Sequence, residues 1–378
     1  MNKKNIAVYF FFTILSLWWF FIYSRGLKEG IENNAFTLIY PFVSLFGGIV
    51  GFFVSKNWGG VKSDIGKAIS LLSLGLLAQF FGQASFAYFI YIKGIEVPYP
   101  SVADIGFLGS AIFYIIGASF LLKSSGIKFS LKSLKGKIIT LIIPLVIITF
   151  SYFFFLKGYE FDWSSPLKIF LDFGYPLCDA TYLFIILLTF LLCKNFLGGN
   201  IRKLVLFLSI ALTFQYIADS TFLYQASNGT WYVGGINDYL YFSSYFLMTL
   251  ALIYSGKVFQ EIKSNNSVFP STNDGILISN TVKILNQIIL AIIRRQERIA
   301  GQIAWEEAKE VPGLKVLDQQ KGELSVDGNT VQGSMEVVDN LVLRYKHIFG
   351  DLAVQVSKDA ARHFIAELSK EEVPKSLL

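Results

Sequence analysis

Histidine, cysteine and charge are all scarce in this chain, and each scarcity removes a class of function. Its 378 residues hold two His, His347 and His363, both in the last tenth of the sequence. The long apolar part therefore supplies no bis-His haem and no His-based metal centre. Two Cys exclude a disulfide scaffold and fit no Cys-rich metal site. Cys178 and Cys193 stand fifteen residues apart on one predicted helix. That is about 22 Å at 1.5 Å per residue, too far for a bridge. Charged residues make up 16% of the chain, against about 25% in soluble globular domains. No Lys falls in the middle of an apolar run, which excludes a retinal Schiff base. Nucleotide-binding glycine loops of the GxxxxGK[ST] kind are absent too. No catalytic constellation, metal set or cofactor motif is visible, so neither an enzyme nor a cofactor is expected.

What is abundant is apolar mass. The chain is 53% hydrophobic, with 37 Phe and 19 Tyr, and its mean hydropathy is +0.52. A bilayer crossing needs about 20 mostly apolar residues, with the backbone satisfied inside the helix. Eight segments meet that standard: 5–23, 36–55, 66–92, 104–122, 138–156, 175–193, 203–224 and 239–256. The first could pass for a signal peptide, but no small-x-small cleavage site follows it. Trp18, Trp19 and Tyr23 mark its far end as an interfacial belt does. Residues 1–256 thus read as an all-α, multi-pass membrane domain of eight transmembrane helices.

The basic residues orient it. Loops on the N-terminal side carry thirteen Lys and Arg (among them Lys56, Lys62, Lys67, Lys123 and Lys203), and the opposite loops carry five: Arg25, Lys28, Lys93, Lys157 and Lys168. The positive-inside rule puts both termini in the cytoplasm of a cell membrane protein. The +6 net charge is then a topology signal, and no nucleic-acid partner is expected.

After Lys257 the composition becomes that of a soluble protein. A polar, Pro/Gly-punctuated linker covers 257–275, and a small cytoplasmic α+β domain covers 276–378. Ile278, Val282, Leu285, Ile289, Ile292, Ile299 and Ile303 follow 4–3 spacing, interrupted by Gln296. That stripe fits either a homodimeric coiled-coil seam over 278–303 or the core-facing side of the domain. A hairpin is expected around Gln319 to Gly322, then helices over 334–348 and 351–369. Both His read as solvated surface residues, and the Arg294 to Arg298 run as a solvated or lipid-facing stretch.

A repeated pattern marks the membrane domain. Tyr99-Pro100-Ser101-Val102-Ala103-Asp104, Tyr175-Pro176-Leu177-Cys178-Asp179 and Gly234-Gly235-Ile236-Asn237-Asp238 each lead into a helix. Each Asp is followed by an aromatic three residues on: Phe107, Tyr182 and Tyr241. The pattern suggests three repeated helical hairpins, each entered by an outer-face turn with Asp as N-cap. Gln79/Gln83 and Gln215/Asp219 are i,i+4 pairs in matching helices. Asp219 is the one acid placed well inside a span, where an ionisable group marks either a functional site or a paired interior contact.

Tyr-Pro-Ser-x-Ala-Asp entering a helix, behind a Gln-rich aromatic helix, resembles a recurring group of uncharacterised prokaryotic multi-span membrane proteins. The resemblance covers about 66–256. It implies a membrane module that stands alone or ahead of cytoplasmic signalling domains. On this reading the outer helix ends form one cavity lined by Asp104, Asp179, Asp219, Asp238, Gln79, Gln83, Gln215, Tyr88, Tyr182, Tyr224 and Tyr241. Acid and aromatic groups together suit a cation, an amine or a proton-coupled ligand. The expected function is a membrane-embedded sensor or receptor coupled to a cytoplasmic adaptor domain. The alternative is a secondary transporter or permease for a small cation or amine. The expected partners are the bilayer, a small ligand at the outer face, and a cytoplasmic protein or a second copy.

Overall fold

The structure, a computed structural model, describes residues 3–124, 134–153, 163–193, 199–264 and 280–378. Nine helices make up the apolar part among these residues: α1 (Lys3–Ser24), α2 (Ile31–Ile39), α3 (Phe42–Asn57), α4 (Asp64–Ala87), α5 (Val102–Ser124), α6 (Leu134–Ser151), α7 (Pro166–Cys193), α8 (Gly199–Ser227) and α9 (Ile236–Ser264). Six helical stretches are long and apolar enough to cross a membrane, with α2 and α3 counted as one; α1 and α6 hold shorter apolar runs, Val8–Ser24 and Lys137–Ile147.

Three expected boundaries change for physical reasons. The second apolar segment is two helices, because Pro41 follows Tyr40 and ends the i→i−4 ladder of α2. A π-helical turn, Tyr88–Lys93, continues α4 and ends at Gly94, whose φ is +64°. The largest change is at α7, which starts nine residues before Tyr175 and carries Pro176 inside it. Tyr175-Pro176 is therefore interior helix, and the expected outer-face turn there is replaced by a longer helix.

Small residues let the bundle close. A Cβ on Gly106 of α5 would fall 2.6 Å from the Ala78 carbonyl of α4, and one on Gly82 would fall 2.6 Å from the Phe107 ring. The two backbones meet at these glycines, as small-residue seams allow in apolar bundles. At the opposite end of the sequence of crossings, α1 lies against α9. Its Trp19 indole donates to the Gly234 carbonyl at 3.0 Å and stacks on Tyr239.

The tail is a compact α+β unit built on α10 (Asn280–Ala300), α11 (Ile303–Lys309), β1 (Leu314–Asp318), β2 (Glu323–Val326), α12 (Val331–Phe349) and α13 (Asp351–Ile365). The expected hairpin forms, its strands pairing antiparallel with Leu314 opposite Val326 and Val316 opposite Leu324. The 4–3 stripe is spent inside the chain. Val282, Leu285, Ile288, Ile289, Ile292 and Ile293 of α10 are buried in a core shared with α12 and α13. The stripe is thus the core-facing side of the domain, and the coiled-coil seam expected over 278–303 is a correction. Of the linker expected over 257–275, residues 257–264 continue α9 as helix, a correction, and residues 265–279 lie outside the described residues.

Other tail readings are sharpened. Gln296, which interrupts the stripe, is buried and donates to the Ala353 carbonyl at 3.0 Å. Arg294 holds the hairpin turn, donating to the carbonyls of Gln319 (3.0 Å) and Gln320 (2.9 Å) while its guanidinium covers Trp305 at 4.9 Å. It is a structural side chain and not a free lipid-facing charge. Glu307 is 2% exposed and accepts from Arg344 at 2.7 Å. Tyr345 donates to the Ala304 carbonyl at 2.6 Å, and burial together with nearby Glu307 pushes its hydroxyl well above its usual range. Both His are exposed, as expected.

The tail is docked directly on the bundle. Gly301, at φ +68°, faces the Trp58 carbonyl so closely that any Cβ there would overlap it. The same carbonyl accepts from the Ser63 hydroxyl, which also caps α4 by accepting from Gly66 N at 2.9 Å. Trp58 is fully buried; its indole donates to the Ser255 carbonyl of α9 at 3.1 Å and its ring packs on Phe259.

Candidate functional site

All four expected carboxylates line one cavity of about 540 Å³ at the far end of the bundle from the tail. This is within the usual range for a small-molecule site. Its walls come from α4, α5, α7, α8 and α9, with Thr37 of α2 and Trp231 of the loop before α9. The π-helical turn after α4 carries Ile90 to the wall beside Phe86. Turns of this kind re-aim side chains where α-helical spacing would not.

The carboxylates share the cavity yet differ in their bonding. Asp104 sits in the first turn of α5 and completes a reciprocal cap. The Ser101 hydroxyl accepts from Ala103 N at 3.2 Å, and the Asp104 carboxylate accepts from Ser101 N at 2.6 Å. It also accepts from the Tyr175 hydroxyl at 2.6 Å. Asp238 occupies the matching place on α9, accepting from Gly234 N (2.6 Å), Thr37 (3.0 Å) and the Tyr40 hydroxyl (3.2 Å). Both are third residues of their helices; Ser101 and Gly235 hold the cap positions expected for the acids. Asp219 lies deep in α8 and accepts from Gln215 (3.1 Å), Tyr182 (3.1 Å) and Tyr241 (2.9 Å).

Asp179 is the exception. It lies midway along α7, so it caps nothing, and the expected N-cap role is corrected by the earlier helix start. It is 3% exposed, faces the cavity, and has no hydrogen-bond partner among the described residues. The Asn237 side chain is also only partly used. Its Nδ2 donates to the Ala218 carbonyl at 2.8 Å, while its buried Oδ1 has no partner among the described residues.

The expected glutamines form the floor beneath this cavity. Gln79 is buried, donates to the Ser110 hydroxyl (2.6 Å) and accepts from the Tyr245 hydroxyl (2.8 Å). Gln83 reaches the wall and donates to Tyr245 at 3.4 Å. Gln215 joins Asp219 to the Ser244 hydroxyl, which donates to its Oε1 at 2.8 Å. The two glutamine pairs are thus held through Tyr245, Ser110 and Ser244, with no direct Gln83–Asp219 or Gln79–Gln215 bond among the described residues. These hydroxyl partners are scattered singly along apolar helices, so no pattern in the sequence announces them.

Of the expected tyrosines, Tyr241 lines the cavity, and Tyr182 reaches it only through its bond to Asp219. Tyr88 and Tyr224 are 43% and 54% exposed and lie outside the wall. They are corrections: the helical turn of each carries its ring to the outer surface, and the Tyr88 ring lies under the Lys93 ammonium at 5.8 Å. Trp163 is exposed, whereas Trp231 is a wall residue set edge-on to Phe86 and Phe222. Sequence reasoning missed Tyr175 and Asn237 as functional groups. Both stand inside the repeated motifs, which is the signal by which they were open to discovery.

The electrostatics favour a cation. Asp104, Asp172, Asp179, Asp219 and Asp238 face the cavity, and Lys168, exposed at the rim, is the one basic lining residue among those described. Aromatic and aliphatic walls lower the local dielectric and strengthen the field of those acids. Among the described residues no three His, Cys, Asp or Glu side chains converge as a metal-ligand group. No family model, no curated protein and no solved structure matches this chain.

Proposed function

We propose that this chain is a membrane-embedded sensor in which a small ligand in the acidic, aromatic cavity is read out by the tail. In this reading the bundle crosses the membrane eight times, with α2 and α3 as one broken crossing. Both termini lie in the cytoplasm and the cavity opens on the other side. The basic loops, concentrated at the end away from the cavity, support that orientation.

The observation that carries the reading is the course of α9. It starts at the cavity with Asn237 and Asp238, and seventeen residues on it holds Trp58 through the Ser255 carbonyl. At 1.5 Å per residue those points are about 26 Å apart on one rigid element. Trp58 in turn meets Gly301 of the tail. A ligand that favours one position of α9 over another thereby biases the tail contact, which is what coupling between two sites requires.

The test is amide hydrogen exchange on full-length protein in lipid nanodiscs, comparing wild type with Asp238→Asn. The expected result is a several-fold change in exchange across 299–305 and in α12, far from the substituted residue. Unchanged exchange throughout the tail overturns the sensor reading.

A permease for a small cation or amine is the second reading, favoured by the bonds of Gln79, Gln83 and Gln215 that continue inward from the cavity floor. Its signature is flux of labelled 2-phenylethylamine into proteoliposomes that Asp219→Asn abolishes. Absence of flux by the wild type removes it.

A further inference from the structure

The three paired carboxylates of the cavity have their donors already. Asp104, Asp219 and Asp238 each accept from three separate groups of the protein. Hydrogen bonds of this number hold a carboxylate in place and leave it little capacity for a ligand. Asp179 has none among the described residues, though it is buried and turned to the cavity. A buried carboxyl that meets no donor is costly to ionise, and Asp219 lines the same cavity. Asn237, another wall residue, donates through its Nδ2 to the Ala218 carbonyl.

We infer that the cavity takes a small organic ammonium ion: a primary or secondary amine on an apolar body, with Asp179 as its counter-ion. The inference rests on the sensor reading only for the cavity being a ligand site. An N–H-bearing cation gives Asp179 both a donor and an opposite charge, whereas a neutral alcohol supplies the donor alone. Phe86, Phe107 and Phe222 supply the apolar wall, and aromatic faces attract an alkylammonium group. An inorganic cation fits less well, because the other carboxylates are tied to the walls by their own donors and do not converge on one point.

The experiment uses full-length protein in nanodiscs and a scintillation proximity assay with labelled 2-phenylethylamine. Competition by unlabelled 2-phenylethylamine, 2-phenylethanol and phenyltrimethylammonium then ranks the chemistry. The expected result is an amine preference of about tenfold or more over the alcohol, equivalent to about 1.4 kcal/mol. The quaternary ion, which has no N–H, is expected to compete less well than the amine. In Asp179→Asn the preference for amine over alcohol falls at least tenfold, while Glu96→Gln, on an exposed loop and outside the cavity wall, changes it less than threefold.

Equal competition by amine and alcohol on the wild type overturns the inference without needing any variant. So does an Asp179→Asn protein that keeps the amine preference, or full displacement of the amine by millimolar calcium chloride. Amine binding with no accompanying change of exchange in the tail sinks the sensor reading alone. A tail that responds to Asp238→Asn beside a cavity indifferent to amines sinks this inference alone.

Discussion

Two buried carboxylates, one at each end of the molecule, are treated in opposite ways. Glu307 of the tail is 2% exposed and is met by Arg344 at 2.7 Å. Asp179 of the bundle is 3% exposed and meets no donor among the described residues. A folded chain gains nothing in stability from an unpaired buried charge, and such groups are rare unless something outside the chain compensates them. The tail therefore uses its buried acid to hold itself together, whereas the bundle leaves one without a donor at the cavity wall. That difference separates scaffold from site more clearly than burial or residue type does.

The largest effect expected along this divide tests the scaffold of the bundle. Gly106→Leu forces side-chain atoms into the α4–α5 seam, where a single Cβ already comes within 2.6 Å of the Ala78 carbonyl. Loss of the assembled monomer in size-exclusion chromatography is expected; a normal elution profile means the two helices do not meet at this glycine.

Next come the two carboxylates themselves. Arg344→Met removes the charged donor that Glu307 accepts from at 2.7 Å and is expected to cost the tail about 2–3 kcal/mol. This is less than the roughly 3–5 kcal/mol of a fully buried pair, because the Arg344 side chain is a third exposed. Denaturant unfolding followed by Trp305 fluorescence reads it. Asp179→Asn removes an unpaired charge, so the melting temperature is expected to hold or rise. A clear fall would give Asp179 a structural partner and collapse the contrast.

The junction between the regions is tested by Gly301→Ala. A side chain at φ +68° is strained, by about 1–2 kcal/mol, and it also overlaps the Trp58 carbonyl. Faster proteolysis at 299–303 is expected and, on the sensor reading, a shifted ligand affinity in the cavity, since coupling between two sites is reciprocal; unaltered proteolysis would show that the tail is not seated on Trp58.

The smallest effect concerns pH. Hydrogen bonds from the Ser369 hydroxyl and backbone, and from Thr281, hold the exposed Glu372 carboxyl below its ordinary value. A depressed carboxylate stabilises the fold above its unfolded pKa and loses that contribution as pH falls through its folded one. Carbon-13 NMR is expected to show Glu372 titrating below the other tail glutamates, with the Ser369–Glu372 turn loosening only after it protonates. Titration alongside its neighbours would remove the cap.

How much of this was legible in the chain is instructive at particular residues. The apolar runs, the tail hairpin and the burial of the 282–293 stripe follow from periodicity, which is a local property. The convergence was legible because Asp104, Asp179 and Asp238 each end a copy of the same short motif, while Asp219 stands out as the one acid well inside a span. The motif also misled. Tyr175-Pro176 looks like a turn, yet Pro176 lies inside α7, where proline is tolerated when neighbouring helices support the freed backbone. Tyr88 and Tyr224 were drawn into the site by motif position, and their helical rotation carries them out of it.

Composition and pattern alone thus determined an apolar helical bundle with acids gathered at one end and a small α+β tail. They did so because hydrophobic burial and helix periodicity act residue by residue along the chain. Only the tertiary structure decided which acid is left without a partner, that Tyr245 and not a second glutamine closes the cavity floor, and that Gly301 seats the tail on Trp58. Hydrogen bonding and close packing join residues more than 200 positions apart, as Thr37 and Asp238 are. The charge state of a buried group depends on such partners, and they are settled only when the helices have packed.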